Sequence, residues 1–125
     1  MIFTSNFKTA GCLRQAAAIC RSVPRGWTGR RYIALAPSWK LLKAKLPEEA
    51  FIKAYRAEVL DKLDPVKVIE DLGGDNFILL CWEAPGEFCH RRMVAEWLEE
   101  AMGIEVPELS PLFNIRNFDL GRFDR

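Results

Sequence analysis

The stretch "NFILLCWEAPGEFCHRRMVAEWLEEAMG", residues 76–103, decides the fold. Its first part, 77–82, is a continuous apolar run of strand length, the pattern of a strand covered on both faces. A Pro-Gly turn follows at 85–86, and from about Glu87 the period changes. Met93, Val94, Trp97, Leu98 and Ala101 recur at helical spacing, Glu96, Glu99 and Glu100 take the far face, and Gly103 supplies a stop. A buried strand feeding a helix is half of a parallel βαβ unit, and in open parallel sheets ligands bind outside the carboxyl ends of the strands. Cys81, Trp82 and Glu83 are expected at such an end, with Cys89, His90, Arg91 and Arg92 on the first turn of the helix.

Outward from this unit the same alternation continues. "MIFTSNF" (1–7) is a short apolar run closing in small polar residues and reads as a first buried strand. "KTAGCLRQAAAICRSVP" (8–24) is ambiguous: its alanines favour helix, yet Ile19 and Cys20 could close a second strand. The Gly-, Pro-, Arg- and Trp-rich segment 21–39 reads as an ordered loop with short extended pieces. "SWKLLKAKL" (38–46) suits a short helix capped by Ser38. "PEEAFIKAYRAEVLDKL" (47–63) has Pro47 at the first turn, acids where the helix dipole favours them, and an apolar stripe of Phe51, Ile52, Tyr55, Val59 and Leu60. "DPVKVIEDLGG" (64–74) repeats the pattern, with Asp64 as cap and paired glycines as the stop. "IEVPEL" (104–109) suits a last short strand. The expected fold is a three-layer α/β single domain, 1–125, with a small, mostly parallel sheet. Residues 111–125 read as an irregular tail.

Bulk properties bound the function. The 125 residues suffice for one hydrophobic core, and 50% hydrophobic with 28% charged residues is ordinary for a folded domain. Four cysteines without a signal-peptide pattern predict reduced thiols and a cytoplasmic setting. No apolar run approaches the roughly 20 residues of a membrane span, so no membrane partner is expected. The net charge of +1 hides an asymmetry: residues 1–47 hold nine Lys or Arg and no acid, while 48–125 hold nine basic and seventeen acidic residues. Such a basic segment suits a phosphate-bearing partner. It equally suits acidic helices of the second half packing against it.

The composition at the start of the helix beginning near Glu87 poses the chemical question, because that end of the dipole normally attracts acids. Here it collects a thiol, the only histidine and two arginines. Three readings stand side by side. The cysteines can be core thiols, with the arginines paired to Glu83, Glu87 or Glu96. Cys81, Cys89 and His90 can be metal ligands, although seven residues separate the cysteines where two to four are usual for zinc. Cys12 and Cys20 repeat that gap. Thirdly, cations and helix start can converge on an anion: a thiolate, or a bound phosphate.

The block Leu80-Cys81-x-Glu83, a short turn, then Cys89-His90-Arg91 resembles family 488 of the domains of unknown function, whose hallmark is this strand end and this helix start. "TSNF", "ICRSVPRGW" and "LAPSW" resemble its segments too, so the likeness spans most of residues 2–107. The chain lacks the Gly-His pair that many members carry near the first strand. The resemblance implies a shared site and names no reaction.

The expected pocket lies between Thr4, Ser5 and Asn6, the Arg25–Trp27–Arg30 loop, and the Cys81–Arg91 turn. Its ligand is expected to be a phosphate-containing small molecule or nucleic acid, with no cofactor or metal. As an enzyme it would use Cys89 as nucleophile or proton donor, His90 as general acid/base, Arg91 as charge clamp and Glu83 as orienting carboxylate. Trp27 is the favoured base-stacking residue. The other reading is a non-catalytic nucleic-acid-binding module using the same basic surface.

Overall fold

The computed structural model describes residues 1–74, 76–83 and 87–109. The Pro-Gly turn and the tail expected to be irregular lie outside them. Four parallel strands form one sheet: β1 (Ile2–Asn6), β2 (Ala16–Ala18), β3 (Arg30–Arg31) and β4 (Phe77–Cys81), in the order β1-β4-β2-β3. β4 is central, as its unbroken apolar sequence requires, and all five of its residues are buried. Its side chains alternate between two cores. Phe77, Leu79 and Cys81 pack with α3 (Glu48–Glu58), α4 (Pro65–Asp71) and α5 (His90–Met102). Ile78 and Leu80 face a smaller cluster made by α1 (Phe7–Ala10), Leu13, Phe3 and the loop bearing Trp27. The chain is thus an α/β domain with a small all-parallel sheet.

The ambiguous alanine segment resolves as strand. Ala16, Ala17 and Ala18 pair with Ile78, Leu79 and Leu80 and are buried. Arg30 and Arg31 extend the sheet by two residues, and Arg30 donates to the carbonyls of Leu72 (2.8 Å) and Gln15 (2.9 Å). Ser38 caps α2 (Trp39–Lys43) through Leu41 N–H, and Asp64 caps α4 through Val66 N–H, both as expected. Gly103 ends α5 in the left-handed region (φ 66°).

Three expectations shift. Pro47 is the N-cap of α3 rather than a residue of its first turn. Helix α5 starts at His90, not near Glu87: Cys89 is extended (φ −154°, ψ 145°), and Phe88 is drawn aside by an edge contact with Phe51 of α3 (5.6 Å). The buried stripe of α5 runs His90, Arg91, Met93, Val94, Ala95, Trp97 and Leu98, leaving Ala101 exposed. The segment after α5 makes one parallel bridge, Thr4 to Glu108, instead of a full strand, through Thr4 N–H to the Pro107 carbonyl (3.0 Å) and Leu109 N–H to the Thr4 carbonyl (2.9 Å).

Candidate active site around Cys89

The parallel register brings the strand ends together. Asn6 sits beside Cys81 on one flank, and Ile19 N–H donates to the Leu80 carbonyl on the other. The start of α5 lies against this edge. Three side chains from two elements meet here: the Cys81 and Cys89 sulfurs and a His90 ring nitrogen all lie within 4.8 Å of one another, and all three residues are buried.

His90 fixes the proton arrangement. Its Nε2 is 2.5 Å from the Ile19 carbonyl oxygen, which can only accept, so Nε2 carries a hydrogen. Nδ1 is left facing sulfur, 3.6 Å from Cys81 Sγ and 3.8 Å from Cys89 Sγ. A proton leaving Cys89 can pass to Nδ1 and form an imidazolium–thiolate pair. Tyr55 packs edge-on against the imidazole (5.4 Å) and is itself anchored to the Leu35 carbonyl, so the ring cannot swing.

The three thiols around this point differ by environment. Burial pushes Cys89 up, but hydrogen bonds from the Cys81 thiol and His90, the charge of His90 and the Arg91 backbone N–H outweigh it and bring the thiol well below its ordinary value. Cys81 moves the other way, raised by burial and by its hydrogen bond and proximity to Cys89, so it stays a thiol that donates to its neighbour's sulfur. Cys20 is pushed up to about 11 by burial and by the negative charge of Cys89. Glu83 is an exposed residue whose carboxyl lies against Cys89. Local desolvation there, with the charge and hydrogen bond of Cys89, raises its carboxyl to about 7. Around neutral pH Glu83 therefore passes between carboxylic acid and carboxylate beside the Cys89 thiolate.

Two clefts open on this cluster. One, of about 250 Å³, is lined by Cys89, His90, Glu83, Phe88 and the α2–α3 segment, including Lys45, Glu48 and Phe51. The other, of about 110 Å³, shares Leu42, Glu83 and His90 with it and adds Cys20, Arg21, Cys81, Trp39 and Trp82. The α2–α3 wall is a long-range contact, and nothing in the local sequence around Cys89 signals it. The Ile19 carbonyl was equally hidden, because a backbone acceptor has no residue signature.

The structure brings the side chains of Cys81, Glu83, Cys89 and His90 together, while those of the other expected residues are engaged in other contacts or lie apart. Arg91 is buried and donates from Nε (3.0 Å) and Nη2 (2.7 Å) to Glu108, while its Nη1 is buried without a partner. Arg92 donates to Thr4 Oγ1 (2.7 Å) and the Val106 carbonyl (2.8 Å). The two arginines at the helix start thus strap residues 106–108 to the edge of β1. Thr4 belongs to this strap, its hydroxyl donating to Glu108. Ser5 is buried with its hydroxyl unpaired, and Asn6 caps α1 by accepting from Thr9 N–H. Trp27 donates to the Gly11 carbonyl and packs on Phe7 (5.2 Å); Arg25 is exposed. Glu83 faces Cys89 and does not orient His90, a task the Ile19 carbonyl performs.

The Cys81, Cys89 and His90 ligand atoms are close enough to hold one metal ion. Among the described residues Lys67 pairs with Asp71 and Arg91 with Glu108. Among these residues no helix is long and apolar enough to cross a membrane.

No curated protein and no solved structure matches the chain. A family model described as "Active DUF488-N3 subclade" matches residues 8–102, which include both the Cys81–Glu83 strand end and the Cys89-His90-Arg91 helix start. With most of its length and its whole candidate site inside that match, the chain belongs to the DUF488 family.

Proposed function

We propose that this protein is a thiolate-dependent group-transfer enzyme whose substrate carries phosphate, as a nucleotide or nucleic acid does. The observation that carries the reading is the position of Cys89, an N-cap thiol between His90 and Cys81 at the wall of an open cleft. In the first step Cys89 Sγ bonds to the electrophilic centre of the substrate and the bond to the leaving group breaks. The leaving atom takes its proton from the Glu83 carboxylic acid. In the second step water attacks the cysteinyl adduct, Glu83 accepts the water's proton, and the thiolate is released. His90 holds the balancing positive charge, and the Arg91 peptide N–H favours negative sulfur. The nine Lys and Arg of residues 1–47, a segment with no acidic residue, support an anionic substrate.

The test is turnover. Wild-type protein incubated with nucleoside monophosphates, diphosphates and short oligonucleotides should convert at least one and show a transient adduct on Cys89 by intact mass. Cys89→Ser should bind the same compound and convert it at least about 100-fold more slowly. Equal turnover by Cys89→Ser would overturn the reading. So would a stoichiometric zinc ion that protects Cys81 and Cys89 from alkylation, since a metal on those sulfurs leaves no nucleophile.

A further inference from the structure

The smaller cleft has an unusual lining. Trp39 and Trp82 both border it while remaining 54% and 49% exposed. Exposed aromatic surface gathered at one concavity marks an interaction site more often than scattered apolar residues do. Trp82 is held in place by its side chain, and Trp39 follows an anchored helix cap. The Trp82 indole N–H donates to the Ser22 carbonyl (3.0 Å), and Phe7 packs against its ring at 5.0 Å. Trp39 opens α2, whose cap Ser38 is gripped by Glu58 through its N–H (2.9 Å) and hydroxyl (2.8 Å). An aromatic platform fixed beforehand, as Trp82 is, costs little entropy when a flat ring settles on it. The cleft's remaining wall supplies polar edges in Arg21, Ser22 and Glu83, with Pro37 and Leu42 as apolar filling. Arg21 is tied by its Nε to the Pro37 carbonyl (2.8 Å), which steadies its guanidinium beside the cleft.

We infer that this cleft is a nucleobase subsite in which Trp39 and Trp82 take the planar ring of the substrate whose reacting group lies at Cys89. The inference rests on the proposed function and adds the substrate's second anchor. The two clefts share Leu42, Glu83 and His90, so one molecule can occupy both. A volume of about 110 Å³ suits a single ring system and no stacked pair. The base can arrive on a free nucleotide or on an unstacked position of a single strand, since stacking on tryptophan is the same chemistry in both.

Full-length Cys89→Ser protein, chosen because the proposed function expects it to bind with slowed turnover, is titrated with AMP, GMP, CMP, UMP, ribose 5-phosphate, inorganic phosphate and a six-nucleotide single strand. At least one nucleotide, free or in the strand, should quench tryptophan fluorescence and bind more tightly than ribose 5-phosphate. Trp39→Leu and Trp82→Leu should each weaken that ligand about 5-fold or more. Trp→Phe at either position should restore most of the loss, and ribose 5-phosphate binding should not change. Nucleotides binding no better than ribose 5-phosphate, or Leu variants binding them as the parent does, would overturn the subsite and leave the phosphate reading standing. Absence of binding by every probe, phosphate included, would overturn both. Tryptophan-dependent binding with unaltered turnover in Cys89→Ser would keep the subsite and remove Cys89 as nucleophile.

Discussion

A single carboxyl tunes the sulfur at the centre of this site. Glu83 titrates near 7 because its carboxyl is locally desolvated and stands against the charge of Cys89, and the coupling acts in both directions. Below that pH the acid donates to the sulfur and dampens it; above it the donor is gone and a second negative charge makes the sulfur more nucleophilic. The alkylation rate of Cys89 should therefore show a rising step near pH 7, and Glu83→Gln should lack it. The same shift has a consequence for stability. A folded-state value raised from 4.5 to about 7 contributes stability that is complete below about pH 4.5 and lost as pH rises through 7. Glu83→Gln should flatten that part of the melting-temperature profile, and an unchanged slope would show that Glu83 ionises freely. Glu83 was legible beforehand as a member of the site, but its partner was not. Its expected part was that of an orienting carboxylate, whereas the Ile19 carbonyl, 71 residues from His90, already holds that ring.

Elements whose signals were redundant read correctly from sequence. The strand at 77–81 was marked by an apolar run, and α4 by its cap, proline and glycine stop together. Where one local signal stood alone, tertiary packing decided. Ala16–Ala18 has the composition of a helix but forms the strand between β4 and β3, where small side chains let helices and loop close over the sheet. Ala17→Leu should accordingly cost about 1–3 kcal/mol in chemical denaturation through overpacking; a neutral change would mean the layer has slack. The start of α5 was placed three residues early because nothing local to Glu87–Phe88 reveals the Phe51 contact. Its two arginines, placed against the dipole preference, are explained by the strap to residues 106–108. Arg91→Ala leaves Glu108 without its buried partner and should destabilise by about 3–5 kcal/mol, while the double change Arg91→Met, Glu108→Leu should recover much of that. Equal loss in both would assign the effect to packing of the Arg91 stem.

Over the whole molecule, the reactive sulfur is a product of the fold. The Ile19 carbonyl next to β2, the Cys81 thiol on β4, Glu83 just beyond it and the first N–H groups of α5 come from separate parts of the chain, and all act on Cys89. Unfolded, the four cysteines are equivalent thiols ionising at about 8.5, less than about 1% thiolate at pH 6. Folded, they should divide, with Cys81 and Cys20 suppressed and Cys89 ionised. The most direct measurement is residue-resolved iodoacetamide labelling by mass spectrometry from pH 4.5 to 10, on native and denatured protein. Native Cys89 should label at pH 6 at least about tenfold faster than any other cysteine and than itself when denatured, with Cys20 and Cys81 protected up to the top of the range. Four native cysteines that all rise together near pH 8.5, as in the denatured chain, would contradict the account.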